Sequence, residues 1–259
     1  MAVHPTAIID KSVELDNDVE IESYVVIKGK VVIGKGTKIS SHAVIEGPTE
    51  IGENNTIFQF ASIGTPPQDL KYNGEDTKLI IGNNNVFREF VTINRGTMDG
   101  RGCTTIGNNN FFMAYCHVAH DCIVKDNVIL ANNATLAGHI FVDNNAIIGG
   151  LSAVHQFARI GKYAMIAGKT GVVKDIPPFM LASGSRAKLF GPNIVGLERN
   201  GFSKERIDTI KKLYHILFKR KYKFSDAVEK VKNEFSSSDD AKEIIEFITS
   251  GTKRGITLG

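Results

Sequence analysis

Residues 123–148 read IVKDNVILANNATLAGHIFVDNNAII, and an apolar residue returns in this stretch at every sixth position. These positions are Val124, Leu130, Leu136, Val142 and Ile148. The same pattern occurs in three runs, Val3 to Ile63, Ile81 to Ile93 and Ile106 to Val172, which together hold 26 positions without a polar exception. An α-helix repeats every 3.6 residues and a single strand every 2, so neither explains a period of six. The period indicates the hexapeptide repeat of a parallel β-helix.

Each hexad is expected to supply one short strand and one turn. Three hexads would close a triangular coil, so that each residue stacks on the residue 18 positions later. The residue two before each marked position should also point inward, because side chains alternate along a strand. Columns of turn residues with the same spacing support the coil: Gly34 with Gly52, and Asn109 with Asn127 and Asn145. The sequence thus predicts an all-β domain of about nine coils.

Two segments interrupt the repeat. Residues 64–80 take the place of two hexads, and residues 94–105 add one residue to the register. Both are polar and carry Gly or Pro, so we expect external loops there. Loops on a rigid scaffold often carry function, and the first segment is the stronger candidate.

A helical pattern follows the repeat. Ser203 is expected to cap a helix that runs to about Arg220, and Ser225 to cap a second one. A third helix is expected over about 240–250. We therefore divide the chain into a β-helix domain, 1–190, and a helical C-terminal domain, 191–259.

Composition limits the classes of function. The net charge of +3 is too small to favour a nucleic-acid partner. Three cysteines cannot form an even set of disulfides, and the chain contains neither a signal-like N-terminus nor an apolar run of 18 residues. We expect a cytoplasmic protein with no integral membrane segment. A prism with so thin a core should pack against copies of itself, and three-fold symmetry suits a triangular unit.

The stretch HVAHDC, 117–122, is the candidate reaction centre. A step of 18 residues places Gly138 against His120 and His139 against Asp121, and a second step reaches Gln156 beside His155. Four of the seven histidines would then meet at one corner. The predicted cluster comprises His117, His120, Asp121, His139, His155 and Gln156.

This cluster suits proton transfer. Histidine can take a proton from a hydroxyl near neutral pH, and a carboxylate such as Asp121 can orient the ring. The backbone N–H of Gly138 could approach a developing oxyanion, since no side chain obstructs it. Adjacent residues often point apart, so the partner of His120 could instead come from another coil or another subunit. Clustered histidines can also bind zinc, as in the gamma-class carbonic anhydrases, although the spacing of that class differs.

Several stretches together resemble one family, the UDP-N-acetylglucosamine 3-O-acyltransferases that open lipid A biosynthesis. They are IGENNTIFQFASIG (51–64), PQDLKY (67–72), HVAHDC (117–122), LANNATLAGH (130–139), AVHQF (153–157) and RNGFS (199–203). The resemblance covers nearly the whole chain. It implies a left-handed β-helix, a hand that the spacing alone does not give.

The resemblance also implies an activity. The family transfers an R-3-hydroxyacyl chain from acyl carrier protein to the 3-position of UDP-N-acetylglucosamine, without a metal or other cofactor, as a homotrimer with sites between subunits. By this likeness His120 would be the general base, Asp121 its orienting partner and Gly138 the oxyanion donor. His117, His139, His155 and Gln156 would line the groove for sugar and acyl chain.

The remaining roles come from the same resemblance. Asp69 and Lys71 in the first loop, with Asn193 and Arg199 before the helical tail, would contact the sugar nucleotide. Gly168 matches the position that limits acyl length, and a glycine there is similar to members that take longer chains. Many members have an acidic residue in place of Val195 and an arginine in place of Asn200, so one nucleotide contact could be supplied differently here.

A basic tail surface would suit an acidic carrier protein. Its residues are Lys211, Lys212, Lys219, Arg220, Lys221 and Lys223. A solvated helix face is the alternative explanation.

Three alternatives remain open at this point. The acceptor could carry a 3-amino group, since the same base would serve. The N-acyltransferase of the later lipid A step shares the prism but has an additional N-terminal domain, for which a repeat that starts at Val3 leaves no room. A metal-dependent hydratase or a non-catalytic scaffold belongs to another class.

Overall fold

The repeat builds a prism with three parallel sheets, as the sequence predicts. The computed structural model describes residues 2–219, 222–251 and 253–259. Ile129 pairs with Ile147, and Leu130 with Ile148, which is the 18-residue step. From Ile21 onward the marked apolar positions are buried along the axis, and so are the residues two positions before them, whereas in the first coil Val3 is 40% exposed and Ile9 and Leu15 are only partly buried. The chain folds as a left-handed parallel β-helix followed by helices.

The strands are short, because each hexad must also contain a turn. Before the first loop they are β1 (Ala2–Val3), β2 (Ile8–Ile9), β3 (Glu14–Leu15), β4 (Glu20–Ile21), β5 (Val26–Lys28), β6 (Val31–Ile33), β7 (Lys38–Ile39), β8 (Val44–Glu46), β9 (Thr49–Ile51), β10 (Thr56–Ile57) and β11 (Ser62–Thr65). Between the loops are β12 (Lys78–Ile81), β13 (Val86–Phe87) and β14 (Thr92–Asn94). After the second loop are β15 (Cys103–Ile106), β16 (Phe111–Phe112), β17 (His117–Val118), β18 (Ile123–Val124), β19 (Ile129–Leu130), β20 (Thr135–Leu136), β21 (Phe141–Val142), β22 (Ile147–Ile148), β23 (Ala153–Val154), β24 (Arg159–Ile160), β25 (Met165–Ile166), β26 (Gly171–Val172), β27 (Met180–Ser183) and β28 (Lys188–Pro192).

Every third strand belongs to the same face. Face A contains β1, β4 and each third strand through β25, and then β27 and the antiparallel β28. Face B runs from β2 to β26, and face C from β3 to β24. The chain therefore turns successively at an A–B corner, a B–C corner and a C–A corner, and each face buries its inward side chains against the other two.

One residue in most turns has a left-handed backbone. At the C–A corner Asn109, Asn127 and Asn145 have φ near +60°. Asparagine tolerates this region better than most side chains, which explains the column of asparagines in the sequence. At the B–C corner the equivalent residues are Asp121, His139 and Phe157. Side chains at these positions project outward from the prism.

Both loops leave the prism at the B–C corner. The strand step lengthens to 30 residues between β11 and β14 and to 25 between β14 and β17. Strands β11, β12, β14 and β15 extend further than the sequence predicts, so the loops span only 66–77 and 95–102. Arg95 fastens them to the prism by donating to the carbonyls of Gly47 and Gly64, each at 3.0 Å, and to the hydroxyl of Tyr72. The loops therefore sit on the same edge as the HVAHDC turn.

Four helices form the described part of the tail. They are α1 (Ile194–Arg199), α2 (Lys204–Phe218), α3 (Phe224–Glu234) and α4 (Asp239–Thr249). Ser203 caps α2 by accepting from the Arg206 N–H, as predicted. The predicted cap at Ser225 is wrong, because α3 begins at Phe224 and a residue already within the helix cannot occupy the cap position. The short α1 has no counterpart in the prediction, and Arg220, the predicted end of the first tail helix, lies outside the described residues.

The tail returns to the prism after α4. Ile256 forms a parallel bridge with Asp175, and the Leu189 N–H donates to the Leu258 carbonyl. Arg159 joins the two parts, because its side chain donates to the buried carboxylate of Asp175 at 2.7 Å and to the Phe247 carbonyl at 2.9 Å. The last residues are thus held beside the upper coils. None of the helices in the described parts of the chain has the length and apolar character needed to cross a membrane.

Candidate active site

His120 and Asp121 form a hydrogen-bonded pair in the turn after β17. Nδ1 of His120 lies 2.8 Å from Oδ2 of Asp121. Neighbouring side chains in extended backbone point to opposite sides, but Asp121 has a left-handed backbone with φ of 60°. This conformation brings the two side chains to the same side. The partner of His120 is therefore its own neighbour and not a residue of another coil.

The second loop holds the Asp121 carboxylate. The hydroxyl of Thr97 donates to it at 2.6 Å, the Arg101 N–H at 2.8 Å, and the Thr97 N–H reaches both oxygens. The side chain is fully buried, and burial by itself would raise its pKa. The hydrogen bonds from His120, Thr97 and Arg101 outweigh burial and lower the pKa of Asp121 to about 2. Asp121 is consequently an ionised, fixed acceptor.

An ionised Asp121 fixes the tautomer of His120. A carboxylate can only accept, so Nδ1 of His120 must carry the proton and donate it to Asp121. Nε2 then keeps its lone pair and is available as a base. Only 12% of the His120 side chain is exposed. This pair has the arrangement of a general base with an orienting carboxylate.

Gly138 lies directly against the His120 ring, as the 18-residue step predicts. A Cβ at position 138 would lie 2.7 Å from Nε2 and 2.6 Å from Cε1 of His120. Only a residue without a side chain fits here without moving the ring. Within the described part of the chain, no group accepts a hydrogen bond from the Gly138 N–H. This N–H therefore has no protein acceptor among the described residues, on a residue that lies against the His120 ring.

His139 and Phe157 continue the corner above Asp121. The rings of His139 and His120 meet edge to face at 5.0 Å, and His139 stacks on Phe157 at 4.5 Å. Burial is the main cause that lowers the pKa of His139, and the neighbouring His120 adds to it, whereas Asp121 opposes it. His139 is thus favoured in its neutral form beside His120.

A pocket of about 940 Å³ opens over this corner. His120 and His139 form its base, the two loops form one wall, and residues near the C-terminus form another. Its lining comprises Gln68, Asp69, Leu70, Lys71, Asp99, Gly100, Arg101, His120, His139, Gln156, Phe157 and Lys253. A cavity of this size admits a substrate larger than a single sugar.

The other clustered residues occupy different places around the pocket. Gln156 lines it, whereas His155 is turned toward Arg254, whose guanidinium lies 2.6 Å from Nδ1. His117 lies on face B below the turn, where Nδ1 pairs with the Thr92 hydroxyl at 2.7 Å. Burial, with a smaller effect from His120, lowers the pKa of His117. His117 and His155 therefore flank the pocket without lining it.

The first loop places two predicted residues at the pocket. Asp69 and Lys71 both line it. The ammonium of Lys71 lies 3.1 Å from a carboxylate oxygen of Asp99 in the second loop, which raises the pKa of Lys71. The two loops thus meet through an exposed ion pair at the rim of the pocket.

Three predicted residues lie away from the B–C corner. Gly168 precedes the left-handed residue Lys169 at the A–B corner. Asn193 belongs to the C–A corner, where its side chain donates to the Tyr163 carbonyl and caps α1 by accepting from Gly196. Arg199 is exposed in the last turn of α1. A single chain does not bring these residues to His120.

Sequence reasoning missed three contributors to this site. Thr97 and Arg101 hold Asp121, although the second loop seemed the weaker candidate. Lys253 reaches the pocket from the last residues of the chain. For the second loop a signal existed, because counting hexads shows that it leaves from the HVAHDC corner. For Lys253 the sequence contains no such signal, because the tail does not follow the six-residue repeat.

A metal is the alternative occupant for these side chains. His120, Asp121 and His139 offer ligand atoms within 4.8 Å of one another. However, the two oxygens of Asp121 already accept from Thr97, Arg101 and His120. A cation bound to that carboxylate would have to displace these donors. The contacts observed are hydrogen bonds that already occupy both carboxylate oxygens.

Comparison with known proteins shows the family of the chain. Residues 12–47 and 103–138 match the bacterial transferase hexapeptide repeat, and residues 175–257 match domain 2 of UDP-N-acetylglucosamine O-acyltransferase. A Thermodesulfovibrio yellowstonii protein named acyl-[acyl-carrier-protein]–UDP-N-acetylglucosamine O-acyltransferase is 54% identical over 254 residues, 98% of each chain. The chain belongs to the UDP-N-acetylglucosamine O-acyltransferase family. The resemblance seen in the motifs is confirmed.

Solved structures of the family have the same fold. The Francisella novicida UDP-N-acetylglucosamine acyltransferase superposes with a TM-score of 0.96 at 36% identity, over 99% of this chain and 94% of that one. The Acinetobacter baumannii structure gives a TM-score of 0.96 at 44% identity, over 99% and 100%. The family likeness therefore includes the loops and the helical tail as well as the prism.

Proposed function

We propose that this protein transfers an R-3-hydroxyacyl group from acyl carrier protein to the 3-hydroxyl of UDP-N-acetylglucosamine, the first step of lipid A biosynthesis. The observation that carries the proposal is the His120–Asp121 pair at the base of a large pocket, in a chain of this family. Relatives matched over nearly the whole chain are named O-acyltransferases, which favours a hydroxyl acceptor over an amine. The same matches leave no need for a metal-dependent hydratase.

The chemistry follows from the pair. Nε2 of His120 removes the proton of the sugar 3-hydroxyl as its oxygen attacks the thioester carbonyl. The N–H of Gly138 stabilises the oxyanion of the tetrahedral intermediate. When the C–S bond breaks, His120 returns the proton to the departing carrier thiolate. Asp121 keeps the ring oriented and stabilises its charged form throughout.

We assign binding roles to the pocket walls. Asp69 and Lys71 would contact the sugar nucleotide from the first loop. His139 and Gln156 would line the path of sugar and acyl chain from the upper coils, with His117 and His155 supporting them from the sides. The neutral form of His139 suits a neighbour of the base, because a second positive charge would oppose protonation of His120.

We further propose a homotrimer with sites between subunits. His120, Gly168 and Asn193 lie at three different corners of the prism, so a shared ligand requires a neighbouring copy for Gly168, Asn193 and Arg199. Exposed aromatic rings also mark the A–B corner as a contact surface. They form a stacked column of Tyr24, His42, Phe60, Phe90 and Tyr115, with ring separations of about 5 Å.

Subunit mixing tests this arrangement. Two inactive proteins, His120→Ala and Arg199→Ala, should regain activity when unfolded and refolded together, because some interfaces then carry both intact residues. Light scattering on the native protein should give three times the chain mass. Absence of recovery in a mixture that does form mixed trimers would place the site within one chain.

We propose that Gly168 admits long acyl chains. A Cβ at this position would lie 3.3 Å from the Gly150 carbonyl oxygen and otherwise meet open space. Gly168→Met should therefore shift preference toward shorter acyl carriers, as measured by competition between chain lengths. An unchanged preference would remove Gly168 from the acyl site.

The carrier protein is proposed to approach a basic tail surface. Lys212 is exposed within α2, Lys219 and Lys223 are exposed after its end, and Lys211 pairs with Asp208 at 2.8 Å. Arg220 and Lys221, which the sequence adds to this surface, lie outside the described residues. Such a surface would steer an acidic partner, so kcat/KM for acyl carrier protein should fall with ionic strength. The free cysteines fit a reducing cytoplasm, where we place the reaction.

A product assay tests the activity itself. The purified protein is incubated with R-3-hydroxyacyl carriers of several lengths and with the 3-hydroxyl or the 3-amino UDP-sugar, and products are read by mass. His120→Ala should lower kcat by about 10²–10⁴ with the fold intact. The matched control is His215→Ala, an exposed histidine on α2. Near-normal turnover of His120→Ala would refute the assignment.

A further inference from the structure

The C-terminal segment 253–259 contributes to the pocket, although no motif of the sequence places it there. After α4 the chain runs back along the prism and forms the bridge between Ile256 and Asp175. The side chain of Arg254 fastens the segment to the catalytic corner by donating to the Gln156 carbonyl at 2.8 Å and meeting His155 Nδ1 at 2.6 Å. These contacts hold Lys253 at the wall of the pocket.

Lys253 points its charge at the upper part of the pocket. Its ammonium lies 4.3 Å from the centroid of the Phe157 ring, which itself stacks on His139. A cation over an aromatic face is held by the ring quadrupole, yet its other side stays open to a ligand. The rings of Phe157 and His139 therefore lie between the Lys253 ammonium and the base His120.

The lysines around the pocket differ in whether a carboxylate pairs with them. Lys71 is paired with Asp99 at 3.1 Å. Across residues 2–219, 222–251 and 253–259, no carboxylate lies within ion-pair distance of the Lys253 ammonium. An ammonium that faces a pocket without an internal counterion favours an anionic ligand. Its compact charge and three donors suit the oxygens of a phosphate.

We propose that Lys253 is a phosphate-binding residue of this active site. The inference rests on the proposed function, in which both substrates carry phosphate: the nucleotide sugar has a diphosphate, and the acyl carrier has the phosphodiester of its phosphopantetheine arm. The shared chemistry is a phosphate ester held beside Phe157. Which of the two substrates supplies it is decided by the test.

The test compares Lys253→Met with Lys253→Arg, and uses Lys125→Met, an exposed lysine on face C, as the matched control. The Met variant should raise one KM about tenfold, because a charged hydrogen bond is lost, with kcat within about twofold. A rise for UDP-N-acetylglucosamine assigns the site to the diphosphate, and a rise for acyl carrier protein assigns it to the phosphopantetheine arm. Lys253→Arg should keep most of the affinity, since the charge remains.

Three results would overturn the proposal. In the first, both KM values stay unchanged in Lys253→Met, and in the second, the Arg variant loses as much substrate affinity as the Met variant. In the third, both KM values rise equally and recover at low salt, which would indicate that Lys253 acts only through the overall electrostatic field. Calorimetric binding of UDP-N-acetylglucosamine to wild type and Lys253→Met gives a readout without turnover. If the wild type binds the nucleotide sugar but shows no turnover, only the proposed acyl transfer is contradicted. If the wild type shows neither binding nor turnover, the proposed phosphate site is contradicted as well.

Discussion

Gly138→Ala tests the reaction centre with one added methyl group. Gly138 is not among the residues with positive φ, so its backbone accepts alanine. The new Cβ would lie 2.6 Å from Cε1 and 2.7 Å from Nε2 of His120, and ordinary contact begins near 3.4 Å, so the ring must withdraw by about 0.8 Å. The ring cannot withdraw freely, because Nδ1 is bound to Asp121 at 2.8 Å and Asp121 is held in turn by Thr97 and Arg101.

The displacement sets the expected loss. A reacting group that is misplaced by about 1 Å can lower the rate about 10²-fold. We therefore expect kcat of Gly138→Ala to fall about 100-fold in the product assay. The free energy of unfolding should change by about 1 kcal/mol or less, because the clash is confined to one side chain outside the apolar core of the prism. Circular dichroism and thermal unfolding of the same preparations check that the coil is intact.

A double-mutant cycle makes this prediction specific. In a His120→Ala background the ring is gone, so adding Gly138→Ala should cause no further loss of kcat. Wild-type turnover of Gly138→Ala would show that His120 does not act from the position seen here. An equal loss in both backgrounds would show that the methyl group acts through something other than His120.

Further predictions concern the clamp on Asp121 and the core of the prism. Thr97→Val removes the 2.6 Å hydrogen bond to Asp121 and should lower kcat about tenfold with KM unchanged. Thr97→Ser keeps the hydroxyl and should have the kcat of the wild type. Equal kcat in all three proteins would contradict a positioning role for Thr97. Because the pKa of Asp121 lies at about 2 instead of 3.8, its carboxylate stabilises the fold above about pH 4, and that stabilisation of about 2 kcal/mol is lost as the pH falls toward 2. The free energy of unfolding of Asp121→Asn should lack this decrease between about pH 4 and pH 2. If wild type and Asp121→Asn lose the same stability over that range, Asp121 is not the cause. Leu136→Ala, at a fully buried position, should cost about 2–5 kcal/mol in urea unfolding, against about 0.5 kcal/mol for the exposed Leu151→Ala; similar costs would contradict the inward register.

The repeat made part of the site predictable. The approach of Gly138 to His120 and of His139 to Asp121 follows from a constant step of 18 residues, and both are observed. The bond between His120 and Asp121 was left open by the sequence, because extended neighbours diverge. The left-handed turn at Asp121 settled it, and that conformation depends on its place at a corner of the coil.

The sequence by itself determined the prism, its register and the corner where the histidines meet, because a solenoid encodes each contact as a fixed distance along the chain. The tertiary structure alone decided which groups hold Asp121, how Lys253 reaches the pocket, and that Gly168 and Asn193 lie at other corners than His120. Thr97, Arg101 and Lys253 belong to segments outside the repeat. Their contacts depend on how a loop and a tail pack against the finished coil, and no periodic spacing records that packing.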